Sequence, residues 1–448
     1  MVEDGGPAWA PTRALGRAVL VTGLLLLAAV VLGRPDLVAL AAPFALGTAL
    51  SLRRRPVAVP RVRLAVDEEF TVEGGDMAAS VVVGNRDEID YDLVVARLQP
   101  STWLRVHNRA DAEPDPAAPA DRPMAASAPA GADADLAVRA TALRWGRHPL
   151  GPAAARAVAC GGLLASAPVV VDARVVRAYP LTEPFDAVEA MPRAAGLVGG
   201  HRSRRPGEGG ELAGVRVFVP GDRLRRVDWR VSLRARELHV AATLSDRDAE
   251  VVLLLDVLTE AGHSGGVRGT ASVLDTTVRA AAAIAEHYLH RGDRVSMLEY
   301  GTLARRLRPG SGRRQYLTAL EWLLDVQAAE VVHEPIEHVF GGPVLSSNAL
   351  LVVLTPLIDT RSAGMLARLA RSGRFVVAVD TLPSSVLPTE RGTWTELAYR
   401  VWRLDRDNTI GQLREHGVPV VAWAGAGSLD LVLRDVARLA SAPRAGAR

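Results

Sequence analysis

The stretch GHSGG at 262–266 has the G-x-S-x-G spacing that, on a strand-to-helix turn, lifts a serine hydroxyl toward a base. Asp380 and His416 follow in the chain order Ser–Asp–His, so an α/β hydrolase would use Ser264, Asp380 and His416. The context opposes that use. An elbow serine sits directly on its turn, whereas Ser264 lies several residues past the preceding apolar run and before a second glycine-rich stretch, GVRGT. A zincin reading of HEPIEH (333–338) fails on geometry. His333 and His338 are five residues apart, about 140° around a helix, and Pro335 opposes a helix there. The chain has one cysteine, Cys160, so neither an internal disulfide nor a multi-thiolate metal centre can form. It contains no P-loop, dinucleotide turn or zinc-ribbon spacing. Its basic stretches are short and flanked by acids, and only 4% of residues are aromatic, which argues against a nucleic-acid partner.

A different kind of constellation fills VFVPGDRLRRVDWRVSLRARELHV, residues 217–240. Pro220 and Gly221 preset a turn, the first by fixing φ and the second by permitting φ > 0. Asp222 can bond the backbone that follows as an Asx cap. Arg223, Arg225 and Arg226 are near enough in sequence to pair with Asp222 and Asp228, and Trp229 offers a face on which Arg230 or Arg234 could stack. The segment has no nucleophile–base pair. Two uses remain open: a clasp that joins neighbouring domains, or a docking surface made by Pro220, Gly221, Asp222, Arg226, Asp228, Trp229 and Arg230.

The elements that must carry these residues divide the chain into several parts. From 249 to 441, continuous apolar runs such as EVVLLLD, RVSMLEY, ALLVVLTP, RFVVAVD and VPVVAW alternate with helical patterns at 271–292, 313–328, 361–372 and about 426–440. That alternation predicts a mostly parallel sheet with helices on both faces. Ligands of such sheets bind at the carboxyl ends of strands, where Asp256, Thr355 and Asp380 fall. Residues 57–180 alternate apolar and polar residues between turn signals and predict a β-sandwich-like domain, with 112–135, rich in Pro, Ala and Asp, as a surface loop or disordered insertion. Residues 181–248 hold a Gly-, Arg- and Pro-rich linker to about 215 and then the 217–240 segment. Residues 442–448 are a tail.

Residues 1–56 hold two uncharged apolar runs, 18–33 and 37–52, each slightly short of the roughly 20 residues that cross a bilayer. A cleaved signal peptide would explain the first run but not the second. A transmembrane helical hairpin is expected. Arg13 and Arg17 precede it and Arg53, Arg54, Arg55, Arg61 and Arg63 follow it, while the turn has only Arg34 beside Asp36. The positive-inside rule then puts both ends, and the body after residue 56, in the cytoplasm on a plasma-membrane anchor in contact with the lipid bilayer. All 53 basic residues are arginine, a uniformity better ascribed to coding bias than to choice, so abundance of Arg by itself carries no weight.

The run GVRVFVPGDRLRRVDWRVSLRARELHV followed by VVLLLD, with RWGRHPLGP upstream, resembles the signature of the domain-of-unknown-function 58 family of bacterial proteins. That resemblance implies a von Willebrand factor A-like C-terminal domain, an N-terminal membrane anchor and, as partner, a MoxR-type AAA+ ATPase; it implies no known reaction. The A-type fold usually works through a D-x-S-x-S turn that gives Mg²⁺ a carboxylate and two hydroxyls. Here the turn reads DVLTE: Asp256 matches, but Leu258 and Glu260 stand at the serine positions. Leucine has no oxygen for a hard cation. Asp256, Glu260 and Asp359 thus read as a degenerate site, with no cofactor expected. The expectation is a non-enzymatic, membrane-anchored scaffold or interaction protein, with cell-envelope processes as its setting; the alternatives are the hydrolase and a metal-dependent adhesion-type binding protein.

Overall fold

A computed structural model of the chain describes residues 8–99, 101–108, 122–182, 206–219, 227–244, 250–301, 305–328, 349–388 and 392–423; for 206–214 and 241–244 it describes the backbone alone. These residues divide between two compact units, Met1–Tyr179 and Pro180–Arg448.

The first unit begins with a short strand, β1 (Trp9–Pro11), and two helices, α1 (Arg13–Leu32) and α2 (Asp36–Leu52). α1 has 20 residues, about 30 Å of helix, and is long and apolar enough to cross a membrane. α2 has 17 residues, about 25 Å, with Pro43 inside it, and falls short of that length. Gly33 closes α1 in the left-handed conformation (φ 62°) that lets the chain reverse.

The remainder of this unit is β structure: β2 (Arg61–Val66), β3 (Phe70–Val72), β4 (Asp76–Gly84), β5 (Tyr91–Leu98), β6 (Leu104–Asn108), β7 (Met124–Ala128), β8 (Asp133–Ala142), β9 (Gly146–Leu150), β10 (Ala153–Ala159), β11 (Leu164–Ser166), β12 (Val169–Val171) and β13 (Arg174–Tyr179). They form one sheet ordered β1-β11-β10-β5-β7 with β12 on β10, a second ordered β2-β4-β8-β6, and a smaller one, β3-β13-β9. Alternate residues of β4, β5, β8 and β10 point into one shared core (Val81, Val83, Val94, Ala96, Leu136, Val138, Ala155), as half-buried strands require. Part of the expected loop is corrected here. Within 112–135, Met124–Ala128 is a strand, because Met124 and Ala128 bury against the core when they pair with β5; alanine-rich composition conceals that pairing. Residues 109–121 lie outside the described residues.

The second unit opens with β14 (Pro206–Val217), the short helix α3 (Trp229–Ala235) and β15 (His239–Leu244). The reading of 181–215 as a linker therefore fails over 206–215. This glycine-rich stretch gains an antiparallel ladder to β15, with register shifts near Gly207 and Leu212 where side chains are sparse. Residues 183–205 lie outside the described residues.

Then follow β16 (Glu250–Asp256), α4 (Val273–His290), β17 (Arg294–Tyr300), β18 (Arg306–Gly310), α5 (Gly312–Leu323), β19 (Leu350–Thr355), α6 (Thr360–Arg371), β20 (Phe375–Asp380), α7 (Thr395–Glu415) and β21 (Val420–Ala422). The sheet order is β18-β17-β16-β19-β20-β21; β18 is antiparallel to its neighbour and the other pairs are parallel. Every residue of β16 and β19 is buried, which explains their unbroken apolar character. α6 and α7 pack on the face of Val252, Leu254, Leu351 and Val353. α4 and α5 cover the other face. α4 starts in a capping box, Ser272 with Asp275. β18 and α7 are elements that the sequence reading does not anticipate. The expected helix near 426–440 lies outside the described residues.

Candidate functional site

The chain runs from β16 outward to β17 and β18, then returns to place β19 on the other flank of β16. The carboxyl ends of β16 and β19 therefore form the point at which strand order reverses, where open α/β sheets place their sites. Asp256 ends β16 there, with 2% of its surface exposed. Its Oδ2 accepts hydrogen bonds from Thr355 Oγ1 and Ser362 Oγ, both at 2.6 Å, and its Oδ1 accepts from the Leu258 amide at 3.2 Å. Thr355 Oγ1 in turn accepts from the Leu357 amide at 3.1 Å, helping to hold Leu357 at φ 50°. Burial pushes the Asp256 carboxyl above the ordinary aspartate value; the two hydroxyls and the amide pull it back only in part.

A carboxylate and two hydroxyls are the donors a hard cation would want, and here the hydroxyls come from β19 and α6 rather than from the turn after β16. Thr355 was legible as a strand end. Ser362 was not, although Asp359 three residues earlier is a helix N-cap signal that could have located the first turn of α6. The hydroxyls are bonded to the carboxylate itself, and Leu258 and Leu357 are buried beside them. The other two carboxylates of the degenerate site are engaged elsewhere. Glu260 accepts from the Leu274 amide at 3.1 Å, in the first turn of α4. Asp359 caps α6 by accepting from the Arg361 amide at 2.8 Å and takes that residue's guanidinium as a bidentate partner, which holds its carboxyl below the usual range. Among the described residues, no group of three or more His, Cys, Asp or Glu side chains is placed to hold a metal ion.

Ser264, Asp380 and His416 are not brought together. Ser264 Oγ accepts from the Gly266 amide at 3.3 Å within the loop after β16. Asp380, at the carboxyl end of β20, binds the Arg406 guanidinium at 2.5 Å and accepts from the Leu382 amide. His416 follows α7, exposed, with Nδ1 2.6 Å from the Gln412 carbonyl oxygen. Asp380 is in register with Ala422, so His416, six residues earlier, belongs to the opposite end of the sheet. Residues 333–338 lie outside the described residues.

Of the family-motif residues, Pro220, Gly221, Asp222 and Arg226 also lie outside the described residues, whereas Asp228, Trp229 and Arg230 are described. Asp228 Oδ1 caps α3 by accepting from the amides of Arg230 and Val231, both at 3.1 Å, while Arg223, Arg225 and Arg226, its expected partners, lie outside the described residues. Ser232, 6% exposed, pins the helix to β15: its Oγ donates to the Asp228 carbonyl at 2.6 Å and accepts from the His239 amide at 2.8 Å. A backbone bridge joins Val227 to Val240, both buried. Trp229 and Leu233, one turn apart on the outer face, are 62% and 78% exposed. Val217 at the end of β14 and Val219 just beyond it are exposed too, as are Arg230, Arg234 and Arg236. The expected stacking of Arg230 or Arg234 on Trp229 is corrected. Neither forms a cation–π contact with it, since adjacent helical residues diverge by about 100° and Arg234 lies more than a turn away.

Trp229 and Leu233 are thus an exposed apolar pair on a short helix that Asp228 caps and Ser232 pins to β15, while Asp256 is sealed in the α/β sheet. Residues 214–384 match the family described as "Protein of unknown function DUF58", bearing out the resemblance drawn from 214–240 and the VVLLLD run after it. Uncharacterized proteins of Mycobacterium tuberculosis and Mycobacterium bovis are 32% identical over 136 residues, 30% of this chain and 41% of theirs. The chain thus spans well under two thirds of the length of the curated relatives it matches. Two solved structures are similar in part: the cupredoxin domain of amoB from Nitrosocaldus yellowstonii (TM-score 0.15, 7% identical, 30% of this chain and 95% of that one) and a GH20 exo β-N-acetylglucosaminidase from Vibrio harveyi (TM-score 0.17, 10% identical, 82% and 76%). At those scores neither bears on fold or function.

Proposed function

We propose that this protein is a non-enzymatic, membrane-anchored interaction protein whose von Willebrand factor A-like unit presents the α3 surface to a protein partner. The observation that carries this reading is the exposed pair Trp229 and Leu233 on a helix fixed by Asp228 and Ser232. Exposed aromatic and aliphatic anchors on a rigid element are the usual centre of a binding surface. The exposed Arg230, Arg234 and Arg236 of the same helix and its C-terminal end favour an acidic partner surface. A MoxR-type AAA+ ATPase is the partner suggested by the family resemblance, and cell-envelope processes are the setting. α7 supplies a second exposed apolar stripe, Trp394, Leu397, Val401 and Leu404, which fits the same use.

The anchor is a two-helix hairpin with both ends in the cytoplasm. Support comes from connectivity: β1, before α1, pairs with β11 of the same unit that the chain re-enters through β2 after α2. A chain that leaves and rejoins one folded unit crosses a bilayer an even number of times, so a spanning α1 requires α2 to return.

Photo-crosslinking from position 229 in membranes of the native host tests the partner. Recovery of an AAA+ ATPase, lost in the double variant Trp229→Ala, Leu233→Ala while the protein stays folded and membrane-bound, is the expected result. Equal recovery with the double variant would remove the proposed surface.

A further inference from the structure

The two ends of the helical hairpin differ in how their charge is satisfied. At the turn, Arg34 is closed by Asp36, with Nη2 to Oδ2 at 2.7 Å. At the base, Arg13, Arg17, Arg53, Arg54 and Arg55 are exposed, and among the described residues none has an acidic side chain within ion-pair distance. The nearby acids are otherwise engaged: Asp92 accepts from the Gly162 amide, and Asp87 from the amides of Val57 and Ala58 and from the Tyr91 hydroxyl.

These arginines are held at one place. Thr12 donates its amide to Leu163 O at 2.9 Å and its hydroxyl to Gly162 O at 2.7 Å. The Cys160 thiol donates to Arg54 O at 3.5 Å, so the start of α1 and the exit from α2 are both tied to the turn 160–163. Trp9 Nε1 donates to Ala58 O at 2.9 Å and completes the stitching. The base adjoins helix surface that is apolar and open: Val19, Leu20 and Leu24 on α1 and Leu46 and Leu50 on α2 are 57–66% exposed. A ligand that satisfies both surfaces needs an anionic head and an apolar tail.

We propose that Arg13, Arg17, Arg53, Arg54 and Arg55 form a binding site for the phosphate of anionic phospholipid headgroups at the base of the hairpin. The inference rests on the membrane-anchor reading and adds to it a lipid class. Guanidinium forks suit phosphate oxygens bidentately, and arginines near an anionic leaflet act together over a Debye length. A hairpin stitched at both ends would seat its domain against the headgroups in one fixed orientation.

The test uses the full chain in a neutral detergent, with phosphatidylglycerol, phosphatidylcholine or inorganic phosphate added, and reads the thermal midpoint. Phosphatidylglycerol is expected to raise it about 5 °C above phosphatidylcholine, with inorganic phosphate inert. The triple variant Arg53→Gln, Arg54→Gln, Arg55→Gln should lose most of that difference, and Arg34→Gln should keep it. Equal responses to the two lipids, or a triple variant that responds like wild type, overturn the site; a matching response to inorganic phosphate overturns its assignment to lipid. Flotation with phosphatidylcholine vesicles separates the two readings. Wild type and triple variant should both float, and failure of the wild type to do so removes the anchor and the site with it.

Discussion

Thr355 donates its hydroxyl to the carboxylate of Asp256 across 2.6 Å, tying the carboxyl ends of two fully buried parallel strands. The same threonine oxygen accepts from the Leu357 amide, so one side chain satisfies an acid and a strained turn together. Thr355→Val keeps the shape and removes both bonds. It should cost about 2–3 kcal/mol, since a buried carboxyl and an amide each lose a partner. Ser362→Ala, which removes one donor to the acid, should cost less. Denaturant unfolding of the α/β unit checks the order, and a Thr355→Val protein within about 0.5 kcal/mol of wild type would contradict it.

Asp256 and Asp359 should move stability in opposite directions with pH. The folded-state value of Asp256 is raised by burial, so its contribution is fully present below about pH 4 and is lost as pH rises through the folded value. Asp359 is held low, chiefly by Arg361, so its contribution is present above about pH 4 and is lost as pH falls through the folded value. Asp256→Asn should flatten the decline on the rising side, and Arg361→Gln should weaken the protein mainly above about pH 4. Exchange rates of β16 and β19 amides between pH 3 and 8 read both effects; an unchanged profile in Asp256→Asn would show that the acid is not responsible.

Arg406 binds Asp380 with both side chains no more than 14% exposed, and its guanidinium also donates to Pro356 O. Arg406→Met should destabilise by about 3 kcal/mol by leaving a nearly buried carboxylate without its partner. Ser264→Ala removes only one long bond in a loop and should stay within about 0.5 kcal/mol of wild type with partner capture intact. Loss of partner capture or cellular function in Ser264→Ala would revive the hydrolase.

The parallel strands of the α/β sheet were readable because burial on both faces demands unbroken apolar runs, and Asp256 stood out as the acid that ends one, whereas the antiparallel edge strand β18 was not. The motif residues were readable as a group, but the arrangement was not: Asp228 looked like a partner for arginine, whereas its N-cap role depends on where α3 begins. α7 escaped detection because only Ile410 and Leu413 bury on the core, while Trp394, Leu397, Val401 and Leu404 face outward and blur the stripe. β14 escaped because a glycine-rich sequence reads as a turn until its partner, β15, is known. Ser362 joins Asp256 across 106 positions of sequence, a distance that spacing arguments do not reach.

Trp9 packs on Tyr91 at 5.2 Å between ring centroids and bonds Ala58, so Trp9→Ala should loosen the base of the hairpin by about 2 kcal/mol. Cys160, buried against Arg54, reports on it. Its maleimide labelling in intact membranes should accelerate in the variant, and an unchanged rate would mean that Trp9 does not secure this end.

The ladder between β1 and β11 also orders events during synthesis. Ala10 pairs with Ala165, so the first strand waits for a partner translated 155 residues later. At about 5–20 residues per second that delay is roughly 8–30 s, long enough for the apolar segment between them to reach the translocation machinery. On the proposed two-helix anchor, insertion would precede closure of this ladder, and the nascent chain would be committed to the bilayer before its first unit is complete.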